Sequence, residues 1–250
     1  MEYRELPAEP ALAEDVACVW YDNRVRPSTE HRAQLVTPDG CIDIVWLRGQ
    51  APIVAGPATV PIQADLPPDA TLIGLRFRTG RAPAFLGVPA DALLNLDVPL
   101  RELWGGTADR LHDELEGTSS IADALTTLQA AVGRKRAAPA DPLVQAALRQ
   151  LRRSPRGTVR DLGDGLGLSE RQLLRRFTAS VGYGPRTLAR VLRFRRFLGL
   201  LVDPHARAWD FARLAAESGF ADHAHLARDC ASLAGLTPSQ LRRVWAPGLN

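Results

Sequence analysis

The sequence predicts an α+β protein in which a β-rich N-terminal domain and trailing helices precede an all-α domain. Three observations lead to this fold class. Short β-favouring segments separated by turn residues recur through the first 80 residues, and helical periodicity takes over from Ala82. The second half contains one motif of roughly fifty residues twice. At 250 residues, the chain is long enough for two domains with separate cores.

Five segments of the N-terminal half favour β-structure. They are short, rich in β-branched and aromatic residues, and bounded by Pro, Gly and Asp turn signals. We predict strands over residues 18–21, 34–36, 41–47, 53–55 and 71–77. In the last strand Ile73, Leu75 and Phe77 share one face, while Gly74 and Arg76 share the other. Strands of this length and spacing are typical of a small sandwich or barrel.

Helical periodicity then leads to a linker between the two halves. Apolar residues recur at helical spacing over 108–115 and 121–132, and we predict amphipathic helices there. The segment 134–141 is basic and rich in Ala and Pro, which is typical of a linker. We therefore place the first domain at 1–133 and the second at 142–246.

The repeated motif has the pattern of a helix-turn-helix. Leu162 and Gly167 of the first copy recur 52 residues later as Leu214 and Gly219. Beyond the turn the offset becomes 53 residues, and the matched pairs are Ser169 with Asp222, Leu173 with Leu226, Arg175 with Arg228, Gly182 with Gly235, Pro185 with Pro238 and Leu188 with Leu241. Apolar anchors, a turn glycine and a helix N-cap in register indicate a duplicated structural unit.

The predicted helices of this half follow from capping and turn residues. Asp141 is the predicted N-cap of a helix over 142–153, and Thr158 opens the leading helix of the first copy, which ends at Gly167. Ser169 caps a second helix over 169–180, and a long helix over 186–202 connects the copies. The second copy is predicted to form helices over 209–218 and 222–233.

Residues 142–246 resemble the DNA-binding domain of the AraC/XylS family of bacterial transcription regulators. The resemblance rests on the two unequal helix-turn-helix units, the long connecting helix, and the segments 218–220 and 235–242. The N-terminal half is similar to the cupin-like sensor domains of such regulators, through residues 38–43, 56–57 and 74–77. The sequence departs from the family pattern at Gly163, Gly165 and Cys230, which we expect to loosen packing.

The two halves of the chain carry opposite charge. Residues 1–133 hold 10 Arg and no Lys against 19 Asp and Glu, whereas residues 134–250 hold 21 Lys and Arg against 9 Asp and Glu. The net charges are therefore −9 and +12, which together give the overall +3. A strongly basic half attracts the phosphate backbone of DNA. With both motifs beyond the linker, we expect residues 140–250 to fold and bind double-stranded DNA alone.

The resemblance and the geometry of a helix in the major groove assign candidate contacts. Base readers near the N-termini of the two recognition helices are Arg171, Gln172 and Arg175 in the first copy, and His223, Ala224 and Arg228 in the second. Predicted phosphate contacts are Ser169, Arg176, Arg186, Thr187, Arg193 and Arg196. A solvated surface charge is the alternative for each arginine. Leu173, Phe177 and Leu226 are predicted core residues.

Enzyme and cofactor functions find no support in the sequence. There is no G-x-S-x-G, P-loop or H-E-x-x-H motif, and His31 is the only histidine before residue 112, so a metal-dependent cupin site is not expected. The three cysteines, Cys18, Cys41 and Cys230, are too scattered for a disulfide framework or zinc cluster. We expect no cofactor and no catalysis. Without a secretion signal or membrane-spanning run, a soluble cytoplasmic protein is expected.

The N-terminal half is the predicted sensor. Candidate effector-binding residues are Asp43, Trp46, Arg76 and Arg78. A structural ion pair or exposure on an outer face explains Asp43, Arg76 and Arg78 about as well, and an aromatic strand residue such as Trp46 is more often part of a core than of a pocket. Possible partners are therefore a small-molecule effector, a second copy of the chain, and RNA polymerase. The alternative function is a constitutive DNA-binding protein whose acidic half is only an interaction or dimerisation module.

Overall fold

The computed structural model describes residues 3–23, 32–67, 70–135, 139–153 and 159–245. Its N-terminal part contains eight described strands, all paired antiparallel. They are β1 (Tyr3–Leu6), β2 (Val16–Asp22), β3 (Arg32–Val36), β4 (Asp43–Leu47), β5 (Ile53–Ala55), β6 (Ile62–Leu66), β7 (Leu72–Phe77) and β8 (Asp97–Pro99). Six form one sheet in the order β1-β2-β7-β4-β5-β8, and β3 pairs with β6 separately.

Helices make up the rest of the described fold. They are α1 (Pro83–Leu86), α2 (Leu100–Trp104), α3 (Gly106–Glu116), α4 (Ile121–Gly133), α5 (Pro142–Arg153), α6 (Val159–Asp164), α7 (Glu170–Val181), α8 (Pro185–Val202), α9 (Phe211–Ser218), α10 (His223–Ala234) and α11 (Pro238–Trp245). Short 3-10 turns lie at Pro10–Leu12, Ala90–Leu93 and Pro204–Ala206. Within the described residues, no helix combines the length and apolar character needed to cross a membrane.

The two faces of the six-stranded sheet differ as the alternation predicts. Ile73, Leu75 and Phe77 of β7 are fully buried, and they pack with Ile44 and Trp46 of β4 into one apolar core. Helices α3 and α4 contribute the other side of this core through the buried residues Leu111, Leu115, Leu128 and Val132. The N-terminal half is thus a sheet covered by helices on one face, which confirms the predicted α+β class.

The sequence-based prediction misses three strands, and four of the five predicted strands have different bounds in the structure. β1 is exposed along its whole length and β8 is three residues long and ends in a proline, so neither shows a β-favouring apolar pattern. β6 does alternate apolar with polar residues, as Ile-Gln-Ala-Asp-Leu, and the prediction misses this period-2 signal. β2 begins two residues earlier than predicted, and β4 begins only at Asp43. Over the described residues the strands form an open sheet and a two-stranded ribbon rather than a closed barrel.

The second half is all-helical and has two apolar clusters, one for each copy of the motif. Leu173 and Phe177 of α7 are fully buried in the first, and Leu226 and Cys230 of α10 are fully buried in the second. The long helix α8 contributes to both clusters. The core assignments of Leu173, Phe177 and Leu226 are therefore confirmed.

The recognition helices of both copies begin and end at equivalent capping residues. The side chains of Ser169 and Asp222 accept hydrogen bonds from the backbone N–H groups three residues on. Gly182 and Gly235 close α7 and α10 in the left-handed conformation, with φ of 97° and 67°. Helix α9 begins after Asp210, its N-cap, rather than at residue 209. The predicted start at Thr158 lies outside the described residues.

Of the two glycines in the first unit, only Gly163 lies in the leading helix as predicted. Helix α6 ends at Asp164, so Gly165 lies in the following turn and not within the helix. A Cβ on Gly163 would lie 2.7 Å from the carbonyl oxygen of Leu168. Gly163 therefore allows the turn to pack closely against the helix instead of loosening it. Cys230 is completely buried, and its effect on packing stays a prediction.

The N-terminal domain packs directly against the first helix-turn-helix unit. A Cβ on Gly182 would lie 2.3 Å from the Cγ atom of Pro57, and one on Gly40 would lie 2.9 Å from the Cδ1 atom of Leu188. The 3-10 turn Ala90–Leu93 lies beside α7. The sequence predicts only a linker between the halves, so this close contact is new information from the structure. Residues 136–138 of the predicted linker lie outside the described part of the chain.

Candidate nucleic-acid interface

The first recognition helix presents its predicted arginines to solvent. Arg171 and Arg175 are both exposed on α7, while Leu173 and Phe177 on the opposite face are fully buried. Four residues separate the two arginines, so they lie one turn apart on the same side of the helix. This arrangement suits bidentate contacts with guanine in a major groove.

The Gln172 side chain takes part in capping the N-terminus of α7. Its Oε1 atom accepts hydrogen bonds from the Ser169 backbone N–H at 3.0 Å and from the Ser169 hydroxyl at 3.1 Å. The Ser169 side chain in turn accepts from the Gln172 backbone N–H. These bonds form a capping box, whose signature was already present in the sequence as Ser-x-x-Gln. Both side chains therefore stabilise the N-terminus of α7 rather than reaching freely towards DNA.

The second recognition helix has a smaller set of exposed groups. His223, Ala224 and Arg228 of α10 are exposed as predicted. The His223 ring stacks on Phe211 with their centres 5.8 Å apart. His225 instead turns inward, where its ring meets the Phe220 ring edge-on at 5.2 Å. Arg228 is therefore the best-placed base reader of this helix.

The predicted phosphate contacts separate into exposed and engaged residues. Arg186 and Arg196 are exposed on α8, and Thr187 between them is half-buried. The Arg193 guanidinium lies over the Phe220 ring at 5.6 Å, and its side chain is only 15% exposed. Arg186 and Arg196 are thus accessible to a phosphate, whereas Arg193 is packed within the second unit.

Arg176 is engaged in an ion pair with the helix that precedes its unit. Its Nη1 atom lies 2.8 Å from the Oδ2 atom of Asp141, the residue before α5. The other Asp141 oxygen accepts from the Leu143 and Val144 backbone N–H groups. Burial raises the pKa of Asp141, but these hydrogen bonds outweigh burial and the net pKa is lowered. The carboxylate therefore stays charged and holds Arg176.

Two arginines that the sequence-based assignment omits are stacked on aromatic rings. The Arg213 guanidinium lies 4.0 Å from the centre of the Trp209 ring, and that of Arg242 lies 4.2 Å from the Phe211 ring. Arg242 also donates to the Trp209 carbonyl oxygen at 2.8 Å. Arg213 is exposed at the start of α9, where it can meet a phosphate. The spacing of four residues between Trp209 and Arg213 is the sequence signal for this contact.

The predicted effector residues all take part in contacts within the chain. Arg76 donates from Nε to Asp43 Oδ1 at 3.1 Å and from Nη2 to Asp43 Oδ2 at 3.0 Å, and Trp20 donates to the same carboxylate at 2.9 Å. Glu5 and Asp39 also lie within 3.1 and 3.4 Å of Arg76. Asp43 and Arg76 therefore form a structural ion pair, one of the alternatives that the sequence left open.

Charge and burial act in opposite directions in this ion pair. Burial raises the pKa of Asp43 to about 6, although Arg76 opposes that shift. Burial lowers the pKa of Arg76, but the carboxylates of Asp43 and Asp39 outweigh it, so the net pKa is raised. The guanidinium thus remains charged at neutral pH. The other two candidates differ: Trp46 is fully buried in the core, and Arg78 donates to the Ala13 carbonyl oxygen.

Comparison with known proteins gives two family matches. Residues 162–244 match the model described as a helix-turn-helix domain, and residues 4–99 match a domain of unknown function, DUF6597. The second match covers the region predicted to be the sensor, without assigning it an activity. No curated protein sequence matches this chain significantly.

Solved structures of low sequence identity are also similar to this chain. The C-terminal domain of AraT, a response regulator from Geobacillus stearothermophilus, is 19% identical, with 42% of this chain and 86% of that chain covered and a TM-score of 0.39. ToxT from Vibrio cholerae is 12% identical, with 91% of this chain and 99% of that chain covered and a TM-score of 0.48. The apo K231A variant of ToxT has 12% identity, coverages of 90% and 96%, and a TM-score of 0.46.

Proposed function

Because the chain carries a helix-turn-helix domain of the AraC type at its C-terminal end, we propose that it is a sequence-specific transcription regulator that reads two adjacent major grooves. The observation that carries this proposal is the presence of exposed arginines on two recognition helices joined by one rigid helix. Arg171 and Arg175 read bases in one groove, and Arg228 reads bases in the next. His223 and Ala224 complete the second reading surface.

The length of the connecting helix supports reading of two grooves. Helix α8 has 18 residues, which corresponds to about 27 Å at 1.5 Å per residue. Successive major grooves on one face of DNA are ~34 Å apart. Helix α8 contributes Leu188 and Ala189 to the core of the first unit and Phe194 to that of the second, so this one helix fixes the two recognition helices relative to each other.

Phosphate contacts in this proposal come from the accessible cations. Arg186 and Arg196 of α8 and Arg213 of α9 neutralise backbone phosphates, and the Thr187 hydroxyl donates a hydrogen bond to one. These contacts set the register of the protein on DNA. Ser169, Arg176 and Arg193 act mainly within the protein, where each already has a partner. Their contribution to DNA affinity is therefore indirect.

Control by a small molecule is the finer part of the proposal. The segment 37–42 supports it, because neighbouring residues of this segment contact both domains. Asp39 lies 3.4 Å from Arg76 on the sheet, and Gly40 packs against Leu188 of α8. An effector that displaced a carboxylate from Arg76 would shift this segment against α8. It would thereby change the population of the DNA-binding arrangement.

Constitutive DNA binding is the second candidate. It is favoured by the fact that Asp43, Arg76 and Arg78 already have partners in the chain and Trp46 is buried. In this case the N-terminal domain serves as an interaction or dimerisation module, with a second copy or RNA polymerase as its partner. Both candidates are non-enzymatic.

Gel-shift titration of the full-length protein distinguishes the two candidates. The probe is a duplex that the protein itself enriches from a random-sequence pool, titrated at fixed salt with and without a small-molecule cell extract. A change in affinity of about tenfold with the extract supports the sensor. An unchanged sequence-specific affinity supports the constitutive binder. Sequence-blind binding contradicts both.

A further inference from the structure

The carboxylate of Asp229 ties the second recognition helix to the connecting helix. Asp229 lies on α10 and is only 6% exposed. Its Oδ1 atom accepts from the Nε atom of Arg190 at 2.6 Å, and its Oδ2 atom lies 3.9 Å from the Nη2 atom of Arg193. His225, one turn earlier on α10, lies 3.7 Å from the same oxygen. Because a buried carboxylate is costly without such partners, this contact constrains how α10 sits on α8.

The equivalent position of the first unit makes the same kind of contact with opposite charge. The repeat offset of 53 residues places Arg176 where the second unit has Asp229. Arg176 pairs with Asp141, immediately before α5. In each unit, therefore, this position of the recognition helix forms an ion pair with the helix that precedes the unit.

The helices that precede the two units, α5 and α8, also occupy equivalent positions. The two ion pairs can therefore be compared position by position. The buried residues of α5 match buried residues of α8 fifty positions later: Val144 with Phe194, Ala147 with Phe197, Leu148 with Leu198 and Leu151 with Leu201. The same offset places Asp141 at position 191, next to Arg190. The two ion pairs thus have opposite charge arrangements, and their partners from the preceding element lie one position apart in the repeat.

We propose that Arg176 and Asp229 are matched positioning residues, each of which sets the rotation of its own recognition helix and so controls one half of the DNA site. This inference rests on the proposed reading of two grooves. Each residue directly follows a proposed base reader, Arg175 or Arg228. Consecutive residues of an α-helix are held at a constant angle, so fixing one side chain fixes the direction of its neighbour.

We call the ion pairs of Arg176 and Asp229 the first and second anchors. The second anchor should restrain its recognition helix more strongly than the first. Asp229 has an 8% exposed side chain, whereas those of Arg176 and Asp141 are 42% and 22% exposed. Ion pairs near the surface are screened by solvent and contribute less than buried ones. The second unit also has Cys230 at the core position that Phe177 fills in the first, and we expect this smaller side chain to restrain α10 less. Loss of the Asp229 anchor should therefore have the larger effect.

Hydroxyl-radical footprinting of the full-length protein tests this proposal. The probe is the duplex that the wild-type protein enriches from a random-sequence pool, so both halves of the site are defined before any variant is made. Arg190→Gln and Asp229→Asn should weaken protection of the half read by α10 about tenfold or more, with the other half retained. Arg176→Gln should weaken only the half read by α7, by a smaller factor.

Two controls separate positioning from folding. Arg190→Lys keeps the charge beside Asp229 and should restore most of the protection that Arg190→Gln loses. Arg190→Gln also leaves Arg193 beside the carboxylate, so it tests the anchor if Asp229→Asn does not fold. Folded variants that lose both halves equally, or neither half, would overturn the proposal. A wild-type protein that enriches no sequence would instead refute the proposed function on which it rests.

Discussion

Gly182 and Gly235 offer a matched pair of substitutions that measures the contact between the two domains. Both glycines end a recognition helix in the left-handed conformation, with φ of 97° and 67°. They differ in their surroundings. A Cβ on Gly182 would lie 2.3 Å from Pro57 Cγ and 3.2 Å from the Ala90 carbonyl oxygen, whereas a Cβ on Gly235 would have no described atom within 4 Å. Replacing each by alanine therefore separates backbone strain from the domain contact.

The expected magnitudes follow from these two costs. An alanine in the left-handed region costs about 1–2 kcal/mol at either position. At Gly182 the added methyl group also forces Pro57 to move by more than an ångström, and overpacking of this kind costs about 1–3 kcal/mol. We therefore expect the free energy of unfolding to fall by about 1–2 kcal/mol in Gly235→Ala and by about 2–5 kcal/mol in Gly182→Ala.

Urea denaturation of the two full-length variants, followed by circular dichroism, measures this difference. Trypsin cleavage after Arg134 or Lys135 provides a second readout, because a clash that separates the domains should speed cleavage only in Gly182→Ala. Equal losses of stability, together with equal cleavage rates, would show that the N-terminal domain does not press against the end of α7 in solution. The proposed route of regulation through this interface would then fail.

Three further predictions follow from the same structure. Arg175→Ala should relax the preference for one base pair and weaken binding by about 1–3 kcal/mol. The matched variant Arg196→Ala should instead weaken binding to all duplexes alike and reduce the salt dependence by about one unit. Equal, sequence-blind losses in the two variants, measured by fluorescence anisotropy, would refute the assignment of Arg175 as a base reader. The fragment 140–250 should still bind DNA in gel shifts at low salt, although it loses the cover of the N-terminal domain; a folded fragment without DNA affinity would contradict the division of the chain. Burial raises the pKa of Cys18 to about 11, so only about one thiol in a thousand is ionised at pH 8. Iodoacetamide should therefore label Cys18 at least about a hundred times more slowly in the native than in the urea-unfolded protein. Similar labelling rates in the two states would show that Cys18 is not enclosed.

Local signals explain why the helical half could be predicted from sequence. Caps such as Ser169 and Asp222 and the left-handed glycines Gly182 and Gly235 act within a few residues of themselves, and the repeat confirms each of them twice. The capping role of Gln172 was equally local, but base reading was predicted for it because its position on the helix allowed both roles. Exposure alone could not decide between them.

Long-range packing explains what the sequence could not predict. Helix α8 has buried residues facing both units, so its arginines are divided between the interior and the surface, and Arg193 is enclosed over Phe220 while Arg196 is not. The ion pair of Arg176 with Asp141 joins residues 35 positions apart. The domain contact at Gly40 depends on a tertiary approach that periodicity does not reveal.

The central claim, that two units of one chain read two adjacent major grooves, is tested most directly by the sequences that the full-length protein selects from a random DNA pool. The account predicts an enriched motif with two short boxes whose centres are one helical turn, about 10–10.5 base pairs, apart. Shortening or lengthening the spacer by about half a turn should abolish joint occupancy, because the rigid α8 cannot follow the second box around the duplex. Enrichment of a single box that is indifferent to spacing, or no enrichment at all, would contradict the claim.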